Sequence, residues 1–206
     1  MRILNAILAV LLFTAPTFAQ STDVSAWLTS QRNGEGGRVS DTDPEDVRFD
    51  DGVGFGVSVA RRFGARLSGE LAVFRTSSGA EIRNGGVVLA DLGDVELTPI
   101  TAMARFHFTG AGRMDVYAGA GVAHVRVADL SSDDLDAAGL GTVAMENETS
   151  GVIGAGLGLS FTPTFALAVD VRYMPLELSG RVAGEVDEIN VNMNPLLISA
   201  GVRLRY

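Results

Sequence analysis

The sequence predicts an all-β fold, an eight-stranded antiparallel barrel that crosses a membrane with short turns at one end and long loops at the other. Three observations carry this. The chain is 47% hydrophobic and holds 25 glycines, yet beyond residue 19 no apolar run approaches the roughly 18 residues of a spanning helix. Apolar residues alternate with small or polar ones in stretches of about ten, the length of a tilted strand crossing hydrocarbon. The connections between these stretches alternate between short and long, as in small outer-membrane barrels.

The first nineteen residues stand apart from this pattern. MRILNAILAVLLFTAPTFA carries Arg2, an apolar run from Ile3 to Ala15, and small Thr17 and Ala19 at the positions a signal peptidase reads. Residues 1–19 are therefore expected to be an export signal, with the barrel domain spanning 20–206 from Gln20. The alternative, a retained anchor, is disfavoured by the shortness of the run. With no cysteine, neither a disulfide framework nor a lipid-modified cysteine is available. The net charge of -9 argues against nucleic acid as a partner.

The strands follow in order. The first runs from about Asp23 to Arg32 and contains the sole tryptophan, Trp27. In GVGFGVSVARRF, Val53, Phe55, Val57 and Val59 share one face and Gly54, Gly56, Ser58 and Ala60 the other. In ARLSGELAVFRT, Leu67, Leu71 and Val73 point to lipid, with Ser68, Glu70, Ala72 and Phe74 inward. VELTPITAMARFHF turns Ile100, Ala102, Ala104, Phe106 and Phe108 outward and Thr101, Met103, Arg105 and His107 inward. For RMDVYAGAGVAHVRV the expectation places Tyr117, Val125 and Val127 towards lipid and Val122, His124 and Arg126 in the lumen. TSGVIGAGLGLSFT opposes Ile153, Leu157 and Leu159 to a row of glycines at 154, 156 and 158, which leaves volume on the inner wall. TFALAVDVRYM directs Asp170 and Arg172 inward.

The last strand lies in NPLLISAGVRLRY, where Val202, Leu204 and Tyr206 alternate with Arg203 and Arg205. Backbone groups in lipid must all be paired, so a membrane sheet closes on itself and its terminal strand pairs with the first. Tyr206 then belongs to an interfacial aromatic girdle, and Val202, Leu204 and Tyr206 resemble the signal read by the barrel-insertion machinery.

Four long connections, roughly 33–51, 77–94, 128–148 and 175–193, hold most of the 25 acidic residues. DTDPED and SSDDLD offer closely spaced carboxylates, but neither has the spacing of a calcium loop, and a solvated, self-repelling loop accounts for them. The lumen is expected to hold a charge network of Glu70, Arg105, His107, His124, Arg126, Asp170, Arg172, Arg203 and Arg205, with carboxylates bridging arginines because buried ions cannot stay unpaired. Phe74, Leu97, Met103 and Val122 are the candidate apolar lining. GAGLG and GAGVAH do not open a helix after a strand, so no dinucleotide cofactor is expected. Two histidines without cysteine make a poor metal site, and no nucleophile setting suggests an enzyme.

The stretch LTPITAMARFHFTGAGRMDVYAGAGVAHVRV, residues 97–127, is similar to the central part of the outer-membrane protein W family: a proline-containing strand ending in aromatic-His-Phe, here Phe106-His107-Phe108, then Tyr117 and Gly119-Ala120-Gly121. The sequences around 151–176 and 194–206 resemble that family's last strands. Thr98-Pro99 stands where the family has a double proline, and Tyr206 where it has phenylalanine. The resemblance implies a Gram-negative outer-membrane barrel with periplasmic termini, surrounded by outer-membrane lipids. It also implies a narrow hydrophobic channel for passive uptake of small hydrophobic molecules, with exit sideways through the wall. The rival is a non-transporting structural, adhesive or stress-protective barrel with a filled lumen. A salt-bridge plug from Arg205 through Asp170 to Arg126 would favour the rival; a gap lined by Phe74 and Met103 would favour transport.

Overall fold

The computed structural model describes residues 21–34, 45–84, 87–109, 112–129, 143–182 and 188–206. The expected export signal and much of the acidic sequence in the first, third and fourth connections lie outside them. The strands are β1 (Thr22–Arg32), β2 (Glu45–Phe49), β3 (Gly52–Arg62), β4 (Leu67–Asn84), β5 (Val87–His107), β6 (Met114–Val127), β7 (Val143–Met145), β8 (Glu148–Ser160), β9 (Phe165–Tyr173), β10 (Glu177–Val182), β11 (Glu188–Asn192) and β12 (Leu196–Arg205).

Eight of them close a ring, in the order β1, β3, β4, β5, β6, β8, β9, β12 and back to β1. Every pairing is antiparallel, and β1 meets β12 from Asp23↔Arg205 to Arg32↔Leu196. The seam is tied at its end, where Thr22 N–H donates to Tyr206 O (3.0 Å) and Tyr206 N–H to Thr22 O (2.9 Å). Closure thus satisfies the backbone of the final strand, which is what lets its apolar side face lipid.

Burial alternates along the strands. The outer face is an apolar band in which Leu28, Val53, Phe55, Val57 and Ile153 are each more than half exposed. At the short-turn end the band finishes in exposed rings, Phe63, Phe108, Phe161, Phe165 and Tyr206. Phe106 and Phe108 meet edge to face at 5.3 Å. This is the aromatic girdle that amphipathic rings form at a membrane interface.

Three expectations are corrected. The second long connection is not a loop: β4 runs for 18 residues and β5 for 21, so the pair projects as a hairpin beyond the barrel. β2 adds to this projection from Glu45↔Asn84 to Phe49↔Ala80, and β7, β10 and β11 form a separate three-stranded sheet. Clear of the hydrocarbon a strand need not turn an apolar face outward, so its period fades while the ladder continues.

The second correction is the parity of β6. Tyr117 and Val125 are buried and point inward, whereas Val122 is 58% exposed and His124 and Arg126 are exposed on the outside. Both faces of β6 carry small or apolar residues (Ala118, Ala120 and Val122 against Gly119, Gly121 and Ala123), so alternation alone does not choose between them. The polar pair His124 and Arg126 marks where the lipid band ends, not which side is the lumen.

The inward glycines do not leave an empty wall. A Cβ at Gly56 would enter the Phe74 ring, and one at Gly156 the Tyr117 ring. Gly56 and Gly156 are recesses into which those rings pack, while Gly154 and Gly158 face the Arg172 and Arg203 side chains. Gly156→Val is therefore expected to destabilise the barrel by about 1–3 kcal/mol through overpacking. Denaturant unfolding in detergent checks this, and a change below about 0.5 kcal/mol, the range of ordinary surface substitutions, would contradict it.

Candidate functional site: a two-layered lumen

The lumen divides into a charged layer towards the short turns and an apolar layer towards the long connections. In the outermost charged rung, Asp115 on β6 accepts from Arg62 Nη2 (2.6 Å) and Arg203 Nη1 (2.9 Å). Its other oxygen meets His107 Nδ1 at 2.6 Å, and His107 Nε2 lies 2.8 Å from Ser68 Oγ. Asp23 on β1 accepts from Arg205 Nε at 2.8 Å and lies 4.0 Å from Arg203.

One layer deeper, Glu70 and Asp170 face Arg105 and Arg172. Arg172 donates from Nη2 to Glu70 Oε1 (2.6 Å), from Nε to Asp170 Oδ1 (2.5 Å) and from Nη1 to Thr101 Oγ1 (2.9 Å). Arg105 is ion-paired with Glu70 and, at 3.3 Å, with Asp170. Tyr117 joins the rungs: its hydroxyl donates to Asp170 Oδ2 (2.7 Å), while Arg105 and Arg203 stack on its ring at 4.3 Å and 5.5 Å. Desolvating these ions would cost several kcal/mol each, and only such dense pairing offsets it.

Above this plug the wall is mainly apolar, with the buried polar side chains satisfied in pairs, Thr29 with Ser199 at 2.9 Å and Thr76 donating to Gln31. Trp27, Phe74, Leu97, Met103, Val125 and Leu197 belong to one contiguous cluster, and the Trp27 indole N–H is satisfied by Ser58 Oγ at 3.0 Å. The cluster continues past the barrel strands into Met174, Leu176, Leu178 and Met193. The Arg172 guanidinium lies 4.7 Å from the Phe74 ring centroid, so that ring is the boundary between the layers.

The wall has a local fault beside this boundary. β4 and β5 pair from Leu67↔Phe106 to Val73↔Ile100 and again from Thr76↔Leu97, but Phe74 and Arg75 have no ladder partner opposite Pro99 and Thr98. His107 N–H donates to Arg66 O (2.8 Å), so odd-numbered residues of β5 turn their backbone groups towards β4. By that parity residue 99 would donate to the Phe74 carbonyl, and proline has no N–H to give.

The structure thus brings Glu70, Arg105, His107, Asp170, Arg172 and Arg203 together inside, with Arg205 partly buried, and places Phe74, Leu97 and Met103 in the apolar layer. It puts His124, Arg126 and Val122 outside. Sequence reasoning missed Asp23, Arg62, Asp115 and Tyr117. The signal for Asp115 and Tyr117 was present in RMDVY, where an acid two residues from an aromatic on one face of a membrane strand can only be lumenal. The salt-bridge path runs from Arg205 through Asp23, Arg203 and Asp115, and through Tyr117 to Asp170 and Arg172, but it does not reach Arg126.

Ser68, His107 and Asp115 stand in the order of a nucleophile, base and acid. Ser68 is only 4% exposed, enclosed between its ladder neighbours Arg62 and Arg105, and the chain holds the imidazole within the plug. His124 lies outside and hydrogen-bonds Thr149 at 3.0 Å, so the two histidines do not share a site. Among the described residues, no group of three or more His, Asp or Glu is placed to hold a metal ion.

The barrel is similar in fold to the outer membrane protein OprG from Pseudomonas aeruginosa, with a TM-score of 0.75, 14% identity, and 91% of this chain and 95% of that one covered. It is also similar to the outer membrane protein AlkL in DMPC lipid bilayers (TM-score 0.67, 17% identity, 94% and 93% covered). A third is the E. coli outer membrane protein W (TM-score 0.59, 17% identity, 93% and 100% covered). Among curated proteins none matches the chain in sequence. The model of the OmpW family matches residues 28–206, and with the closed eight-stranded ring and its lipid-facing apolar band, this chain is a Gram-negative outer-membrane barrel that belongs to the OmpW family.

Proposed function

We propose that the barrel is a passive conduit for small hydrophobic molecules that enter at the long-connection end and leave sideways through the wall. The carrying observation is the position of the Pro99 fault. The apolar layer is floored by ion-paired Glu70, Arg105, Asp170 and Arg172, which an apolar solute could cross only by breaking them apart. Immediately above that floor the β4–β5 ladder lacks two rungs, next to Phe74. A solute driven only by its partition into hydrocarbon would take the fault in preference to the plug, because the route through the wall keeps it out of water. In this reading the short turns and both termini face the periplasm, and Val202, Leu204 and Tyr206, all exposed on the outer face, are offered to the insertion machinery.

The filled charged layer is what favours the second reading, a structural or protective barrel that transports nothing. Uptake of a small apolar solute by intact cells separates the two. Deletion of the gene is expected to lower uptake several-fold, a plasmid copy to restore it, and a folded Phe74→Asp copy not to. Unchanged uptake across a range of apolar solutes would leave the filled barrel as the function.

A further inference from the structure

The outer wall ends differently at its two borders. At the short-turn border it ends in aromatic rings. At the other border it ends in arginines on β4 and β6, with a threonine between them on β5. Outward side chains rise through Leu71, Ala102 and Val122, then Val73, Ile100 and His124, then Arg75, Thr98 and Arg126. The ladder fixes these rows, since Val73 pairs with Ile100, Ile100 with His124, and Thr98 with Arg126, and Arg75 falls opposite Thr98 when the register is carried across the fault.

Arg75 and Arg126 are thus two strands apart, about 10 Å between backbones, within reach of one group held between them. Arg75 Nη2 is paired with Glu96 at 2.6 Å, with 59% of its side chain exposed. Arg126 is exposed and has no hydrogen bond or ion pair among the described residues. An arginine at the edge of hydrocarbon is poorly solvated on its lipid side, and the partner that restores its hydrogen bonds there is an anionic headgroup. Thr98 adds a hydroxyl between the two guanidinium groups and His124 an imidazole one row deeper.

We propose that Arg75, Thr98, His124 and Arg126 form a binding site on the outside of the barrel for the phosphate of a phosphorylated glycolipid in the leaflet beside the long connections. Guanidinium groups bind phosphate through parallel charged hydrogen bonds, and the two arginines flank the position where the phosphate sits. The occupant lies directly over the fault at Pro99, where its headgroup covers the stretch of wall that lacks rungs. The choice of occupant rests on the orientation proposed above, with the long connections outside the cell, and does not require that the barrel transport anything.

The test uses the purified full chain folded in neutral detergent, with native mass spectrometry counting retained lipid. The probe is diphosphoryl lipid A, compared with the same lipid stripped of phosphate. The expected result is at least tenfold tighter retention of the phosphorylated lipid, lost in R75Q/R126Q and reduced in H124Q, while Arg32→Gln, an exposed arginine on β1, retains it fully. Heat-modifiable migration in gels verifies that each variant is folded, and R126Q alone, on an exposed residue, serves if the double variant is not. Equal retention of the dephosphorylated lipid, or an equal loss in Arg32→Gln, overturns the proposal in favour of acyl-chain adhesion or diffuse attraction. Competition by millimolar inorganic phosphate also overturns it, because the site would then take the free anion.

Discussion

Arg172→Met is expected to cost the barrel about 3–5 kcal/mol of unfolding free energy, the penalty for breaking one partner out of a buried ion network. Arg172 is fully buried and donates to Glu70, Asp170 and Thr101 at once. Without it two carboxylates share the single guanidinium of Arg105, and one negative charge is left desolvated above Tyr117. Removing that charge as well should recover most of the loss, so E70Q/R172M is expected to lie much nearer to wild type than R172M does. The loss arises from the imbalance and not from the missing contacts, which is why a second deletion repairs the first. Urea unfolding in detergent, followed by tryptophan fluorescence from Trp27 inside the lumen, reads both variants. An R172M barrel within about 1 kcal/mol of wild type, the worth of an exposed pair, would show that water enters the plug freely.

The second large effect is on transport. The chain has no cysteine, so a disulfide can be placed without competition. Arg75 and Thr98 face each other across the fault as the pair whose backbone groups point away from one another. That is the closer of the two antiparallel spacings, about 4.5 Å between Cα atoms, inside the range a disulfide accepts. Oxidised R75C/T98C is expected to hold the wall shut at Pro99 and to bring uptake of a small apolar solute down to the level of the gene deletion, with a reductant restoring it. Reversal by reductant separates closure of the wall from loss of the arginine. A stapled barrel that transports as well as the reduced one would place the exit elsewhere, and would have no bearing on lipid binding by the unsubstituted chain.

The parts of this fold that lie in hydrocarbon were legible because lipid forces a strict rule on them. From Val53 to Val59, Leu67 to Val73, Phe165 to Val171 and Ile198 to Leu204 the outward side chains are Val, Leu, Ile, Phe, Ala and Gly, and each inward face carries Ser, Glu, Asp or Arg, so parity follows from polarity. β6 escaped because its middle is built of Gly and Ala on both faces, and the residues that break the tie, Asp115 at one end and Arg126 at the other, lie on opposite faces. Which carboxylate pairs with which arginine was not legible, since it depends on strand stagger that no single strand encodes. Arg62 and Asp115, joined at 2.6 Å, come from strands that do not even neighbour each other in the ring. The projecting hairpin was hidden for a different reason. Its stability comes from cross-strand pairing and from buried Ala80 and Val95, and SSGAEIRNGG reads as a turn when taken without its partner.

That hairpin has one raw side. β5 meets β6 only from Leu97↔Val127 onward, so from Val87 to Val95 it is paired with β4 on one flank and, among the described residues, with no strand on the other. A strand flank with no described ladder partner, standing clear of the membrane, is a template on which a second barrel could add its own hairpin, and crowded neighbours in one membrane would fuse edge to edge. Asp91 and Asp94 lie along that row and Glu96 at its foot. Two copies approaching in antiparallel register would bring these carboxylates against their own images, where like charges repel. The acidity of this stretch keeps the copies apart: it is the insulation on an exposed wire.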